Sequence, residues 1–341
     1  MMHRLLAGVA ALSCCVWTAC SSQEEDIPQL PTNPEQPPLA KIEQVSVKAR
    51  DILAGNAHTR TAFELESTKL TFKWAEGDKI GIFPLNTDEG SDQVSLTIHS
   101  GAGTNQATFT GGGWALRTDV TYAAYYPYQL ATAEQGVANT EIVFGYEGQC
   151  QIGNASLTHL GMHDFMATIG TAAVNKAQDT EAPEDWALDF DFYHLNSVAQ
   201  FNLTLPVAVA VDKLTLRCNE AIFWQKGKLN LASGSVPAEG GVPVFSYEMQ
   251  GEAVGQMEME LKEVSTPELD KTLTFYMNLP PIDIQGHQVY VVLHGTNNKV
   301  YQGLLASKTM VSGKAYRFDA TLVDVTVNST IDSPPFGSED I

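Results

Sequence analysis

From residue 41 onward, apolar residues recur at every second position, and long stretches at the 3.6-residue spacing of a helix are scarce. Val45 and Val47 alternate with Ser46 and Lys48. Leu70, Phe72 and Trp74 alternate with Thr71 and Lys73, which puts Trp74 in a core, and Glu76-Gly77-Asp78 then turns the chain into Ile80 and Ile82. Val94, Leu96 and Ile98 repeat the pattern, and Tyr122, Ala124, Tyr126 and Tyr128 form an aromatic run whose Pro127 predicts an edge or a bend. A second set follows: Ala199, Phe201, Leu203 and Leu205; Leu214 and Leu216; Leu229 and Leu231; Leu273, Phe275, Met277 and Leu279; Val289, Val291 and Leu293; Tyr316, Phe318, Ala320 and Leu322. Short alternating segments separated by Gly, Asn, Asp and Pro predict an all-β chain of antiparallel sandwiches. The polar stretch from Asn175 to Glu184, which includes Pro183, places a boundary near residue 192. Two domains are expected, 41–192 and 193–325, with a tail at 326–341.

The N-terminus reads differently. Arg4 precedes Leu5–Trp17, a stretch of 13 residues without charge. That is too short for a transmembrane helix, which needs about 20 residues, and suits the apolar region of a secretory signal. Thr18 and Ala19 before Cys20 look like a bacterial lipoprotein signal, so residues 1–19 are expected to leave and Cys20 to be acylated. Cys14 and Cys15 fit less well, because the polar segment starts only after Cys20. Residues 20–40 hold Pro28, Pro31, Pro34, Pro37 and Pro38 among polar residues, the composition of a semi-rigid disordered tether.

The chain carries 20 basic and 40 acidic residues, a formal net charge of −20. A field of that sign repels phosphate backbones, so nucleic acid is excluded as a partner. Once the signal leaves, Cys150 and Cys218 remain, which is no disulfide framework. The sequence leaves open whether they pair.

The residues with chemical potential do not assemble into a recognisable site. His159 and His163, followed by Asp164, form the most metal-like cluster, but Gly161 lies between them and no third ligand has a fixed spacing. Asp189 and Asp191 alternate with Leu188, Phe190 and Phe192 and read as the wet face of a strand. Gly111-Gly112-Gly113 is followed by no Lys-Ser or Lys-Thr at phosphate-loop spacing, and no Gly-x-Ser-x-Gly elbow occurs. The expectation is a protein that is not an enzyme and has no catalytic residues, no metal and no cofactor.

Six segments, in order, resemble the fimbrillin-like lipoproteins of Gram-negative anaerobes. They are Thr59-Arg60-Thr61-Ala62-Phe63; the run from Phe72 through Trp74-Ala75-Glu76-Gly77-Asp78 to Phe83; and Tyr122-Ala123-Ala124-Tyr125-Tyr126-Pro127-Tyr128. Asp164-Phe165-Met166, then His194-Leu195-Asn196-Ser197-Val198-Ala199-Gln200-Phe201-Asn202-Leu203 and Gly313-Lys314-Ala315-Tyr316-Arg317-Phe318, complete the series. Residues 225–265 carry no matching signature.

The resemblance implies two tandem transthyretin-like β-sandwiches and a fimbrial subunit precursor that supports cell adhesion. Such a precursor reaches the surface of the outer membrane as a lipoprotein, and Glu24, Glu25 and Asp26 resemble the export signals that send it there. A trypsin-like protease then cuts after an arginine, removing the lipidated segment with a first strand. The emptied groove takes a donor strand from another fimbrial subunit. Arg60, followed by Thr61, fits the cleavage position, with Arg50 as the alternative. In the tail, Leu322, Val325, Val327 and Ile331 are the donor-strand candidates. Shaft, tip and anchor roles all stay open. The rival reading is a surface lipoprotein that binds glycans, with Tyr122, Tyr125, Tyr126, Tyr128 and the five tryptophans as candidates to stack on sugar rings, Trp74 excepted by its core phase.

Overall fold

The computed structural model describes residues 44–49, 53–54, 64–66, 69–85, 93–111, 121–129, 141–171, 173–174, 186–236, 243–266 and 271–326. All of them lie within one compact unit, Pro38–Ile341. The chain is all-β, and its one described helical turn is a 3-10 segment at Thr158–His163.

The first strands roll up on themselves. β1 (Gln44–Ala49), β5 (Lys79–Pro84), β6 (Val94–Ser100), β7 (Gln106–Thr110), β8 (Thr121–Tyr126), β11 (Met166–Thr171) and β14 (Asp189–His194) form a closed barrel in the order β1-β14-β11-β8-β5-β6-β7. Closure comes from β1, which pairs with β14 on one side and β7 on the other, so neither of those strands is left as an edge. The interior is aromatic: the Trp74 ring meets Phe109 at 5.0 Å, Tyr126 at 5.3 Å and Phe192 at 6.0 Å, each edge-on. Trp74 is buried, as its phase predicts. Two short strands, β3 (Glu64–Glu66) and β4 (Lys69–Thr71), pair just before it.

The remaining strands build a layered body. One sheet runs β10-β19-β16-β22-β23-β26, that is Cys150–Ile152, Gln256–Ser265, Ala210–Cys218, Val289–Gly295, Val300–Leu304 and Val323–Asp324. A second runs β2 (Leu53–Ala54), β25 (Lys314–Thr321), β15 (Ser197–Thr204) and β20 (Thr272–Leu279). Their apolar faces, among them Leu214, Met259, Leu293, Phe201, Phe275 and Phe318, share one core. A third sheet, β18 (Val244–Gln250), β17 (Lys226–Ser235) and β9 (Glu141–Gly145), joins that core through Phe144, which stacks on Tyr247 at 5.1 Å. Two further pairs are minor: β12 (Ala173–Val174) with β13 (Trp186–Ala187), and β21 (Ile282–Asp283) with β24 (Thr309–Met310).

Most pairings are antiparallel, as in β1–β7, β8–β11 and β15–β20, and two features of the rest are not carried by the alternation. β1–β14, β2–β25, β10–β19 and β15–β25 are parallel. And the chain does not stay in one body up to residue 192: β9 and β10 hydrogen-bond with β17 and β19, while β2 pairs with β25. Alternation reports which face of a strand is buried and carries no information about its partner, so these excursions are invisible in the pattern.

β8 shows the consequence. It lies between β5 and β11, in the middle of the barrel wall, and Pro127 falls just after its last residue. Tyr122, Ala124 and Tyr126 face the barrel interior, whereas Ala123 and Tyr125 join the core of the layered body. Both faces are therefore buried, and of the edge or bend expected from Pro127 the chain takes the bend, directly after the strand ends.

Candidate functional site

The element that most resembles a removable part is β1. Its inward residues Val45, Val47 and Ala49 are 2%, 2% and 0% exposed, and Ser46 and Lys48 point outward. Against β7 the register is antiparallel, with Val45 opposite Phe109 and Lys48 opposite Gln106. Against β14 it is parallel, with Ser46 beside Asp189, Lys48 beside Asp191 and Ala49 beside Phe192. The Ser46 N–H donates to Leu188 O at 3.1 Å, and that of Ala49 to Asn105 O at 3.0 Å.

The walls of this slot are Phe72, Trp74, Phe109, Phe190 and Phe192, which share a core with β1. Burying two valines contributes about 1.5–3 kcal/mol each, so β1 is held by its inner face as well as by two ladders. Withdrawing it would bare the aromatic wall and the facing edges of β7 and β14 together. On the outside, Ser46, Lys48, Gln106, Thr108, Asp189 and Asp191 line an open groove of about 650 Å³. Asp189 and Asp191 thus sit on the wet face of their strand, with Leu188, Phe190 and Phe192 buried behind them.

β2 follows β1 in the chain and reaches the other body, pairing Leu53 with Lys314 and Ala54 with Ala315. Both strands precede Arg60. Arg60 itself, Thr61, Arg50, Cys20, Val327 and Ile331 lie outside the described residues.

The two described donor-strand candidates belong to their own subunit's fold. Leu322 is buried in the larger core and donates its N–H to Thr204 O at 2.8 Å. Val325, 39% exposed, donates to Val300 O at 2.9 Å. Between them β26 pairs with β23.

The histidine cluster does structural work. Nε2 of His159 donates to Tyr276 O at 2.8 Å and Nδ1 of His163 to Gly145 O at 3.2 Å, so the rings address different carbonyls. Burial holds both imidazoles neutral, pushing His159 down to about 4 and lowering His163. Asp164 is paired instead with buried His194, at 3.1 Å. Among the described residues no group of three or more His, Cys, Asp or Glu converges as a metal site. Cys150 and Cys218 are both free thiols.

Of the four tyrosines proposed to stack on sugars, only Tyr128 is partly exposed. Tyr122, Tyr125 and Tyr126 are all buried, because β8 has a core on each side. Two residues that sequence reasoning missed, Gln149 and Gln151, seal the outer edge of β20: their side-chain amides bond the peptide groups of Asn278, Tyr276 and Thr274 at 2.8–3.0 Å. Two glutamines flanking one cysteine gave no sign of this.

Among the described strands, then, one short N-terminal strand closes the barrel, and two glutamine side chains cap the β20 edge of the layered body. The model of the fimbrillin-like family matches residues 59–333, and the chain belongs to that family. Among solved structures it is similar to a candidate cell adhesion protein from Bacteroides ovatus, at 16% identity and a TM-score of 0.52, over 85% of this chain and 96% of that one. A fimbrial protein, also from Bacteroides ovatus, matches at 14% identity and a TM-score of 0.36, over 82% of this chain and 49% of that one. A tip fimbrial protein from Porphyromonas gingivalis matches at 13% identity and a TM-score of 0.33, over 84% of this chain and all of that one, 100%. No match was found among curated proteins.

Proposed function

We propose that this chain is the precursor of a fimbrial subunit, a surface lipoprotein that polymerises by strand exchange, supports cell adhesion and catalyses no reaction. Cys20 carries the lipid that holds the precursor at the outer face of the outer membrane. A trypsin-like protease cuts between Arg60 and Thr61, and the released segment takes β1 and β2 with it. The vacated position is then filled by an extended segment of another fimbrial subunit.

The observation that carries this reading is the placement of β1. Among the described strands it alone pairs with both β7 and β14, it precedes Arg60, and its loss would leave two sheet edges beside an apolar slot. Exposed edges and an open slot are unfavourable in water, and one added strand satisfies both. The strand that this chain lends in turn to another fimbrial subunit is the stretch after Thr326, which includes Val327 and Ile331, because Leu322 and Val325 already serve their own subunit.

Mass spectrometry of the protein from cells tests the processing step. A mature N-terminus at Thr61 in polymer, with acylated Cys20 in unprocessed precursor, is the expected result. Polymer whose subunits all begin at Cys20 would overturn it. Removing residues 327–341 is expected to leave a folded monomer that no longer donates a strand.

A further inference from the structure

The outer face of β1 carries information that its inner face does not. Val45, Val47 and Ala49 are what many apolar strands would offer the slot. Outward, however, the parallel register sets Ser46 beside Asp189 and Lys48 beside Asp191. These side chains border the same open groove. Adjacent cross-strand charges of opposite sign stabilise a sheet, and like charges oppose it. In a chain of net charge −20, a strand at this position either brings a cation to Asp189 and Asp191 or adds to an already negative field.

The chain's own C-terminal segment brings none. After Thr326 the sequence contains no Lys or Arg, while Asp332, Glu339 and Asp340 are acidic. A second copy of this chain is therefore a poor electrostatic match for the vacated position.

We infer that the position held by β1 selects an extended strand with a basic residue on its outer face beside Asp191, and so takes its donor from a different subunit rather than from a second copy of this chain. Asp189 and Asp191 are the specificity-determining residues. This rests on the reading that β1 is exchangeable.

The test uses the full chain, cut with a limiting amount of a trypsin-like protease, and three fluorescent peptides. One is the chain's own 43–50 segment, one is that segment with Lys48→Gln, and one covers residues 327–341. Binding is followed by anisotropy at low and at high salt. The native peptide is expected to bind about two- to fivefold more tightly than the Lys48→Gln peptide at low salt, as for a partly exposed ion pair. That preference should shrink at high salt and vanish in the Asp189→Asn/Asp191→Asn chain, where the tail peptide gains affinity. Equal binding of the native and Lys48→Gln peptides at low salt, or a preference that survives in the double variant, would overturn the selectivity while leaving exchange intact. A tail peptide that matches the native one on the unmodified chain would overturn it too. If no peptide binds, the native one included, exchange at β1 fails and the selectivity fails with it.

Discussion

The side-chain amide of Gln149 takes both peptide groups of Asn278: Nε2 donates to the Asn278 carbonyl at 2.8 Å, and Oε1 accepts from the Asn278 N–H at 2.8 Å. Gln151 extends the arrangement along the same edge, donating to Thr274 O at 3.0 Å and accepting from Tyr276 N at 2.9 Å. Two side chains thus act as a stand-in strand beside β20. They also tie the sheet containing β10 to the sheet containing β20, which closes that corner of the layered body.

Because Gln149 is 1% exposed, truncating it strands buried peptide groups that water cannot reach. Gln149→Ala is expected to cost roughly 2–4 kcal/mol, the combined penalty of an orphaned N–H and carbonyl. The midpoint of urea unfolding measures it, and a shift worth less than about 0.5 kcal/mol, the scale of an ordinary surface substitution, would contradict the arrangement. Gln151→Ala should behave alike. Both variants should aggregate more readily, since the β20 edge would then be open.

Gly81 pairs with Tyr125 across the barrel wall, and a Cβ there would lie 2.1 Å from Tyr125 Cε1. The ring has little freedom to yield, being fully buried, with its hydroxyl donating to Gln129 O at 3.0 Å. Gly81→Ala is expected to destabilise by about 1–3 kcal/mol through overpacking. In a double-mutant cycle with Tyr125→Ala the two costs should be clearly less than additive. Additive costs would mean that the ring does not fix the glycine.

Acid should weaken the protein through His159. Its folded pKa is pushed down to about 4 from 6.5, mainly by burial. Between those values the unfolded chain holds a proton that the folded chain does not, so stability falls as pH drops from about 6.5 to about 4, by up to roughly 3 kcal/mol. Below about 4 both states are protonated and this contribution to the loss ends. His163 and His294, also lowered by burial, act in the same direction. His159→Gln keeps a donor toward Tyr276 O and removes this titration, so its stability relative to the parent should improve on acidification. Parallel pH profiles for the two proteins would contradict the assignment.

Much of this architecture is legible in the sequence, and what is not has a physical cause. Alternation correctly sends Trp74, Val45 and Val47 inward and Asp189 and Asp191 outward, because the period of a strand fixes its faces. It misses β8, where Ala123 and Tyr125 are as buried as their neighbours, since a second core covers what would otherwise be a wet face. It also misses β9 and β10, whose partners lie about a hundred residues away along the chain. His159 and Gln149 were opaque for one reason: each serves the backbone of β20, and backbone partners leave no residue-type signature.

The exchange of β1 can be tested with a reversible lock. Ser46 and Thr108 lie opposite each other on β1 and β7, both on the outer face, so Ser46→Cys with Thr108→Cys joins the two strands when oxidised, in a Cys150→Ser background. After cleavage at Arg60 and addition of the cognate donor subunit, the oxidised protein should stay monomeric, and reduction should restore polymer. Polymer forming equally well with the lock closed would show that β1 never has to leave, and would contradict the account.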